Sequence, residues 1–475
     1  MTVTNSEERL EAARSDPQLW RVTSVAILGS FISQIDATVV NVSLSSLAGE
    51  LHTSLSTIQW VTSGYLLALA LTLPLSGWLV DRIGAKAVYI WCFSAFTLTS
   101  TLCGLAWSAN SLIGFRILQG MSGGLLAPMA QLIMVRAAGA NMARVLGLAA
   151  MPILLAPLLG PLVAGVLLQF ASWRWLFLIN LPFGVVAIAL ATLFLPRDHD
   201  QRRPRHLDLF GLALLSPAVV LFLYGSERMS DRQGLASEGL ASLALSALLL
   251  VVFLLWAARK KDDAIIDLRL FKDGIFSAAV VTQFLLAGTA FASQMLVPVF
   301  LTRAGGLSPS EVGLLLAAQG LGMMITFPFV GLLVDRFGNR AVSVGGTLTA
   351  LAGMIPFLWE ASHGLASLII AAALLVRGMG LSCIGIPSIS AAYTSVKRAD
   401  LPMATTTLNL VMRMGGPTLT TLCATFLGWR LAVHSPAPAT GAYGDTFALI
   451  CALHVVLLVA ALRLPQRVRK DAMSS

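Results

Sequence analysis

The sequence predicts an all-α integral membrane protein of 14 transmembrane helices, on three observations. Hydrophobic residues make up 57% of the 475 and charged residues only 12%, whereas a soluble chain carries about 25% charge. Apolar runs of spanning length, about 20 residues, recur along the whole chain, and Lys and Arg collect on one side of them. Mean hydropathy is +0.81. No soluble fold has enough polar surface to cover that much apolar surface, so a soluble enzyme, a disordered chain and a fibrous repeat are excluded. The net charge of +9 would suggest nucleic acid as a partner of a soluble chain. Here it belongs in cytoplasmic loops, and the partners expected are the lipid bilayer and small molecules.

The first 20 residues are polar. The apolar run after them is too long for a signal-peptide core and lacks a clear cleavage site, so it reads as an uncleaved first membrane helix. The spans lie near 22–46, 57–80, 87–107, 109–135, 145–170, 175–195, 208–226, 235–257, 275–301, 310–334, 341–360, 365–394, 403–427 and 444–463. Only the links near 196–207, 258–274 and 428–443 are long, and none can hold an extramembrane domain. With both termini cytoplasmic, 24 of the 32 Lys and Arg fall inside and five (Arg174, Arg228, Arg232, Arg303, Arg430) outside; Arg116, Arg377 and Arg413 lie within helices. The expected location is therefore the cell (cytoplasmic) membrane. The link 258–274 reads as an amphipathic segment on the headgroups. Trp20, Trp107, Trp173, Trp175, Trp256, Trp359 and Trp429 fall near predicted interfaces, as an anchor belt does. The five cysteines sit in apolar runs without a CxxC spacing, as small core residues rather than disulfides or metal ligands.

A repeat divides the chain. Residues 77–88 (GWLVDRIGAKAV) and 331–342 (GLLVDRFGNRAV) agree at eight of twelve positions. Each copy closes the second helix of a six-helix block, so the architecture is two six-helix bundles, 1–195 and 275–475, with two inserted helices and their loops over 196–274. Parallel halves of this kind are a transporter architecture.

The motif Gly77-x-x-x-Asp81-Arg82-x-Gly84 and its second copy at Asp335-Arg336 resemble the signature loop of the major facilitator superfamily. Arg116-x-x-Gln119-Gly120 resembles that superfamily's second motif. Pro157, Gly160, Pro161 and Gly165 in the fifth predicted helix are similar to its antiporter motif, with Ala164 in place of one usual glycine. Asp36-Ala37-Thr38-Val39-Val40-Asn41 and the run Trp173 to Pro182 are similar to segments of the 14-helix drug:proton antiporters, the multidrug efflux family. The resemblance spans essentially the whole chain. It implies a major facilitator fold, no cofactor beyond a proton gradient, and protons and small-molecule substrates as partners. Some relatives also work with a periplasmic adaptor protein.

Asp36 is the only acid well inside a predicted helix, and a carboxylate there must be paired, protonated or facing water. It reads either as a proton carrier or as half of a static ion pair with Arg116, whose depth is similar. Asp81 and Asp335 read as a conformational latch holding the cytoplasmic side closed at opposing helix N-termini, near Pro402 and Asn141; the alternative is a loop whose charge only sets topology. Pro152, Pro157 and Pro161 suggest a kinked fifth helix that packs closely through its glycines. Asn41, Gln119, Asn409 and Arg413 are cavity or substrate candidates. Arg413, near mid-membrane, would line the cavity and disfavour permanent cations.

The function expected is proton-coupled efflux of small lipophilic compounds by alternating access. A facilitator or importer of a specific metabolite on the same fold is the alternative. An enzyme is not expected, since of six histidines only His454 lies clearly within a predicted helix and there is no HExxH; the lack of GxxxxGK[ST] argues against ATP-driven pumping by this chain.

Overall fold

A computed structural model describes residues 17–196, 206–230, 236–260, 264–363, 366–433 and 440–466. The polar N-terminus, most of the link 196–207, Arg232 and the C-terminal Arg467, Arg469 and Lys470 lie outside them. Every regular element among the described residues is helical. That follows from the solvent: lipid offers no hydrogen bonds, and a helix pairs its own backbone groups.

The first half comprises α1 (Pro17–Glu50), α2 (Leu55–Ile58), α3 (Trp60–Thr72), α4 (Leu75–Ile83), α5 (Ala85–Gly104), α6 (Ala109–Ala138), α7 (Met142–Phe170), α8 (Trp175–Leu178) and α9 (Asn180–Phe194). Then come α10 (Leu209–Ser230) and α11 (Ala236–Lys260). The second half comprises α12 (Gly274–Arg303), α13 (Pro309–Phe337), α14 (Asn339–Ala352), α15 (Ile355–His363), α16 (Ser367–Ser395), α17 (Leu401–Val433) and α18 (Thr440–Leu462). Ser108 with Ser111 and Ser308 with Glu311 form capping boxes that start α6 and α13. Leu98, Phe170, Leu193, Leu314 and Leu368 are exposed, as lipid-facing positions must be.

Every expected span has a helical counterpart, with differences. Twelve helices among the described residues are long and apolar enough to cross a membrane, or thirteen if one bent pair is a single span. That pair is the second expected span: Leu55–Thr72 and Leu75–Ile83 meet at 55°, at Pro74, which cannot donate a backbone hydrogen bond. The eleventh expected span breaks at Gly353 before Pro356. The fifth, despite its prolines, is one continuous helix, α7. The count of 14 also takes in α17, which is 33 residues long but too polar for that test, with Thr405, Thr406, Thr407, Asn409 and Arg413 in its first half.

The chain divides into two compact units, Met1–Leu207 and Asp208–Ser475. The sequence repeat becomes a packing repeat. In the first unit α1 packs on α6, α7 and α9, α6 also on α3 and α5, and α5 on α9. In the second, α12 packs on α16, α17 and α18, α16 also on α13 and α14, and α14 on α18. Helix by helix, the contact scheme is the same.

The signature loops explain their own residues. Gly84 and Gly338 turn the chain between second and third helices with φ of 91° and 86°, a conformation open to glycine. The basic residue two positions on caps the last helix of its own half. Lys86 Nζ donates to the Thr192 and Leu195 carbonyls at 2.7 and 2.6 Å. Arg340 Nε donates to the Leu464 carbonyl at 2.6 Å. Cations favour helix C-termini, so these two do more than set topology.

The link 258–274 departs from expectation. Ala264, Ile265 and Ile266 are buried, not spread on headgroups; residues 261–263 lie outside the described residues. Asp208 holds the segment. Its carboxylate accepts from Gly211 N at 3.0 Å, Trp256 Nε1 at 3.0 Å, Lys260 Nζ at 3.2 Å and Ile265 N at 3.3 Å. One acid thus caps α10, ties the end of α11 and fixes the link into α12. Trp256 is used here, and Trp173 is buried, so neither is a free interfacial anchor. Trp107, Trp175, Trp359 and Trp429 are exposed.

Burial works against the Asp208 charge, but the donors of Gly211, Trp256 and Lys260 hold its carboxyl below the ordinary value. A lowered folded-state pKa gives stability that is present above the unfolded pKa of about 3.9 and is lost as pH falls through the folded value. Asp208→Asn should therefore destabilise the second unit by about 1–3 kcal/mol at neutral pH. Amide exchange should quicken at Ile265, and the difference from wild type should vanish only below about pH 4. A second test concerns α6, whose Gly120 lies against the Tyr65 backbone carbonyl. Gly120→Leu should cost about 1–3 kcal/mol by overpacking, read as a lower melting temperature in detergent.

Candidate functional site: a buried carboxylate–guanidinium cluster

α1 presents Asp36, and α6 presents Arg116 and Gln119 three residues apart, hence on one face. All three are almost wholly buried. Arg116 Nη1 donates to Asp36 Oδ2 at 2.7 Å and to Gln119 Oε1 at 2.9 Å. Gln119 Nε2 donates to Asp36 Oδ1 at 3.1 Å. The other donor to Oδ1 is Asn180 Nδ2 of α9, at 2.8 Å, which also reaches Ser100 Oγ of α5 at 3.0 Å. Arg116 Nε donates to the Val61 carbonyl of α3 at 3.3 Å, and Cys103 Sγ donates to Gln119 Oε1 at 3.5 Å. Three helices, α1, α6 and α9, therefore meet at one carboxylate, and α3 and α5 are joined to it through Arg116 and Asn180.

The guanidinium is finished by aromatic rings. Its carbon lies 4.0 Å from the centre of the Tyr65 ring and 5.7 Å from that of Phe177, and Nη2 has no hydrogen-bond partner. Ring faces attract cations. The cluster is electrically neutral, dry and held by three donors on two carboxylate oxygens. Such an ion pair survives burial only when its remaining valences are met, and here all but Nη2 are.

Further along α1, the buried Val39, Val40 and Leu47 belong to an apolar cluster with Trp173 and Phe177. Beyond it a pocket of about 560 Å³ opens among Ser45, Ser46, Glu50, His52, Ser172 and Trp173. The apolar layer stands between Asp36 and this pocket. Chemically, a guanidinium does not itself deprotonate, so Asp36 is the counter-charge that Arg116 requires in this cluster.

Asp36 and Arg116 thus meet as the sequence suggests. Gln119, expected among the cavity candidates, is enclosed in their cluster, while Asn41 is exposed on α1. Asn409 is half-buried and donates to the Thr405 carbonyl of its own helix at 2.9 Å; Arg413 is also half-buried. Gly77 and Asp81 are buried on α4 and Arg82 is exposed, whereas Asp335 and Arg336 are both exposed on α13. Gly160 packs against Thr38 of α1. Pro161 and Gly165 are exposed on α7, and the side chain of Pro157 lies outside the described residues. Asn180, Ser100, Cys103 and Tyr65 were missed. Asn180 had a signal, a lone amide in the run Trp173 to Pro182; Tyr65 had none.

Removing the acid alone strands a buried cation. Asp36→Asn should destabilise the protein by on the order of 3–5 kcal/mol. The double variant Asp36→Asn/Arg116→Gln should lose less than the two single losses combined. Thermal melts of the four proteins in detergent form the cycle, and additive losses would show that the pair does not act as a unit.

The whole bundle can be compared with known proteins. The family model described as Major Facilitator Superfamily matches residues 26–260 and 279–471. The chain is 32% identical over 438 residues to a Mycobacterium tuberculosis protein named multidrug resistance protein B homolog, covering 92% of this chain and 81% of that one. It is 35% identical over 337 residues to a Salmonella typhi protein named putative multidrug resistance protein MdtD, covering 70% and 69%. In fold it is similar to the human organic anion transporter MFSD10, with a TM-score of 0.62 at 14% identity over 94% of this chain and 100% of that one. The proton:xylose symporter XylE gives 0.60 at 14% identity over 91% and 94%. With its paired six-helix scheme, its repeated signature loop and a match over most of its length, the chain belongs to the Major Facilitator Superfamily of membrane transport proteins.

Proposed function

We propose that this protein is a proton-coupled exporter of small lipophilic compounds that works by alternating access, with 14 spans and both termini cytoplasmic. The observation that carries the reading is the Asp36–Arg116 pair at the meeting point of α1, α3, α6 and α9. A neutral, buried pair rests at low cost, and a proton arriving at Asp36 leaves Arg116 uncompensated. That makes the cluster bistable, which gradient coupling requires. The names of the relatives at 32% and 35% identity support drug-like cargo. Asp81 and Asp335 act as latch residues, each at the inner end of the second helix of its half, and Asp81 carries the larger share because it is the buried one. The proton gradient replaces any cofactor.

The test is reconstitution. In proteoliposomes with an imposed pH gradient, wild type should move norfloxacin, a lipophilic zwitterion, against its concentration gradient. Asp36→Asn, normalised to folded and inserted protein, should show only downhill movement. Uphill transport by that variant would place the proton carrier elsewhere, and wild-type transport indifferent to pH would favour a facilitator. For the latch, Asp81→Ala removes an anion whose place at a helix N-terminus contributes about 0.3–1 kcal/mol, up to ~2 when partly buried. A cysteine at Gly84 should then label faster with an impermeant thiol reagent from the cytoplasmic side. Equal labelling rates would count against the latch.

A further inference from the structure

Each half buries one arginine on its fourth helix, and the two are compensated differently. Arg377 of α16 is 1% exposed. Its Nη1 donates to Gln319 Oε1 of α13 at 2.6 Å, and its Nη2 to the Thr289 carbonyl of α12 at 3.2 Å. In the packing repeat α12, α13 and α16 stand where α1, α3–α4 and α6 stand, and Gly378 faces the Gln319 carbonyl as Gly120 faces that of Tyr65, so Arg377 holds the position of Gln119, one turn along from that of Arg116. The signature motifs are offset by 254 residues, as from Asp81 to Asp335. The same offset carries Asp36 to the residue beside Thr289. Where the first half has a carboxylate, the second has a threonine whose hydroxyl bonds the Leu285 carbonyl of its own helix at 2.8 Å.

No carboxylate lies within ion-pair distance of Arg377 among the described residues. Its Nε has no hydrogen-bond partner. His454 of α18 is fully buried as well. One ring nitrogen of His454 meets the Ile450 carbonyl at 2.8 Å, and the other, Nε2, has no partner. A guanidinium stays charged, and a charge at membrane depth calls for an opposite charge or water. The Gln319 amide oxygen is a neutral stand-in. Gln319 is the less enclosed member of the cluster: it is half-buried, whereas Arg377 is almost wholly buried.

We propose that Arg377 and Gln319 form a binding site for the carboxylate of a lipophilic anion. The ligand's carboxylate displaces the Gln319 amide oxygen and supplies the negative charge that the second half lacks. The proposal deepens the exporter reading by naming one class of cargo, and in that respect rests on it. The binding itself can be measured without transport.

The probe is octanoate, with octanamide as its neutral isostere and chloride as the inorganic control. Binding to the full-length protein in detergent is read by melting-temperature shift and calorimetry. Octanoate should stabilise wild type and octanamide should not. Gln319→Glu supplies an internal carboxylate, so it should melt higher than wild type without ligand. It should also bind octanoate at least about tenfold more weakly, as loss of one charge-assisted hydrogen bond implies. Arg377→Lys, which keeps the charge but loses the fork, should weaken octanoate binding while remaining folded. Equal octanoate affinity in wild type and Gln319→Glu would overturn the site. So would equal stabilisation by octanamide, or a chloride effect that accounts for the whole shift. Absence of octanoate binding alongside gradient-driven norfloxacin transport defeats this proposal alone. Octanoate binding without any gradient-driven transport defeats the exporter reading alone.

Discussion

A bilayer supplies neither water nor counter-ions, so a charge placed at depth has to find its compensation inside the protein. In the first half that constraint is met by Asp36 and Arg116, 2.7 Å apart and shut away from solvent. Much of the bundle's local chemistry follows. Gln119 is on the arginine's face of α6 because it must serve both partners. Asn180 stands at the start of α9 because Asp36 has a second oxygen to satisfy. Tyr65 and Phe177 wall the guanidinium because its last N–H bonds meet no acceptor. A buried cluster of this kind stabilises one arrangement of the helices that supply it.

The second half repeats the helix packing and drops the carboxylate. α12, α13 and α16 bring Arg377 to the position that Gln119 holds in the first half, against the Thr289 carbonyl and the Gln319 amide oxygen. The same helix pairs thus enclose an ion pair in one half and an arginine among neutral partners in the other. The repeat conserved what lipid requires of backbones and close helix contacts. Its side chains then diverged in the one respect that chemistry can use.

The helices α10 and α11, which belong to the second compact unit, are held by the same logic. α10 packs on α11 and on α17, and Asp208 gathers the helix start, the indole of Trp256, Lys260 and the backbone of Ile265. The sequence reads 258–274 as an amphipathic strip on headgroups because its charges and apolar residues are mixed. Asp208 lies 57 residues from Ile265, too far along the chain for a local pattern to betray the contact.

Composition and hydropathy alone determined that the chain is helical and membrane-embedded, because exposure of so much apolar surface to water is untenable. The repeated GxxxDRxG segment determined the two-half architecture, because eight of twelve identities at equivalent places mark duplicated packing. A lone acid at depth marked Asp36, since its expense there is a matter of solvent rather than of fold. Only the tertiary structure decided who its partners are: Asn180 is 144 positions away, and Tyr65 has no distinguishing sequence context. It also decided that the second expected helix bends at Pro74, that Lys86 and Arg340 cap helices, and that Gln119 is sealed in rather than lining a cavity. Each of these depends on which helix faces reach one another, and periodic patterns blur where helices are apolar on every side.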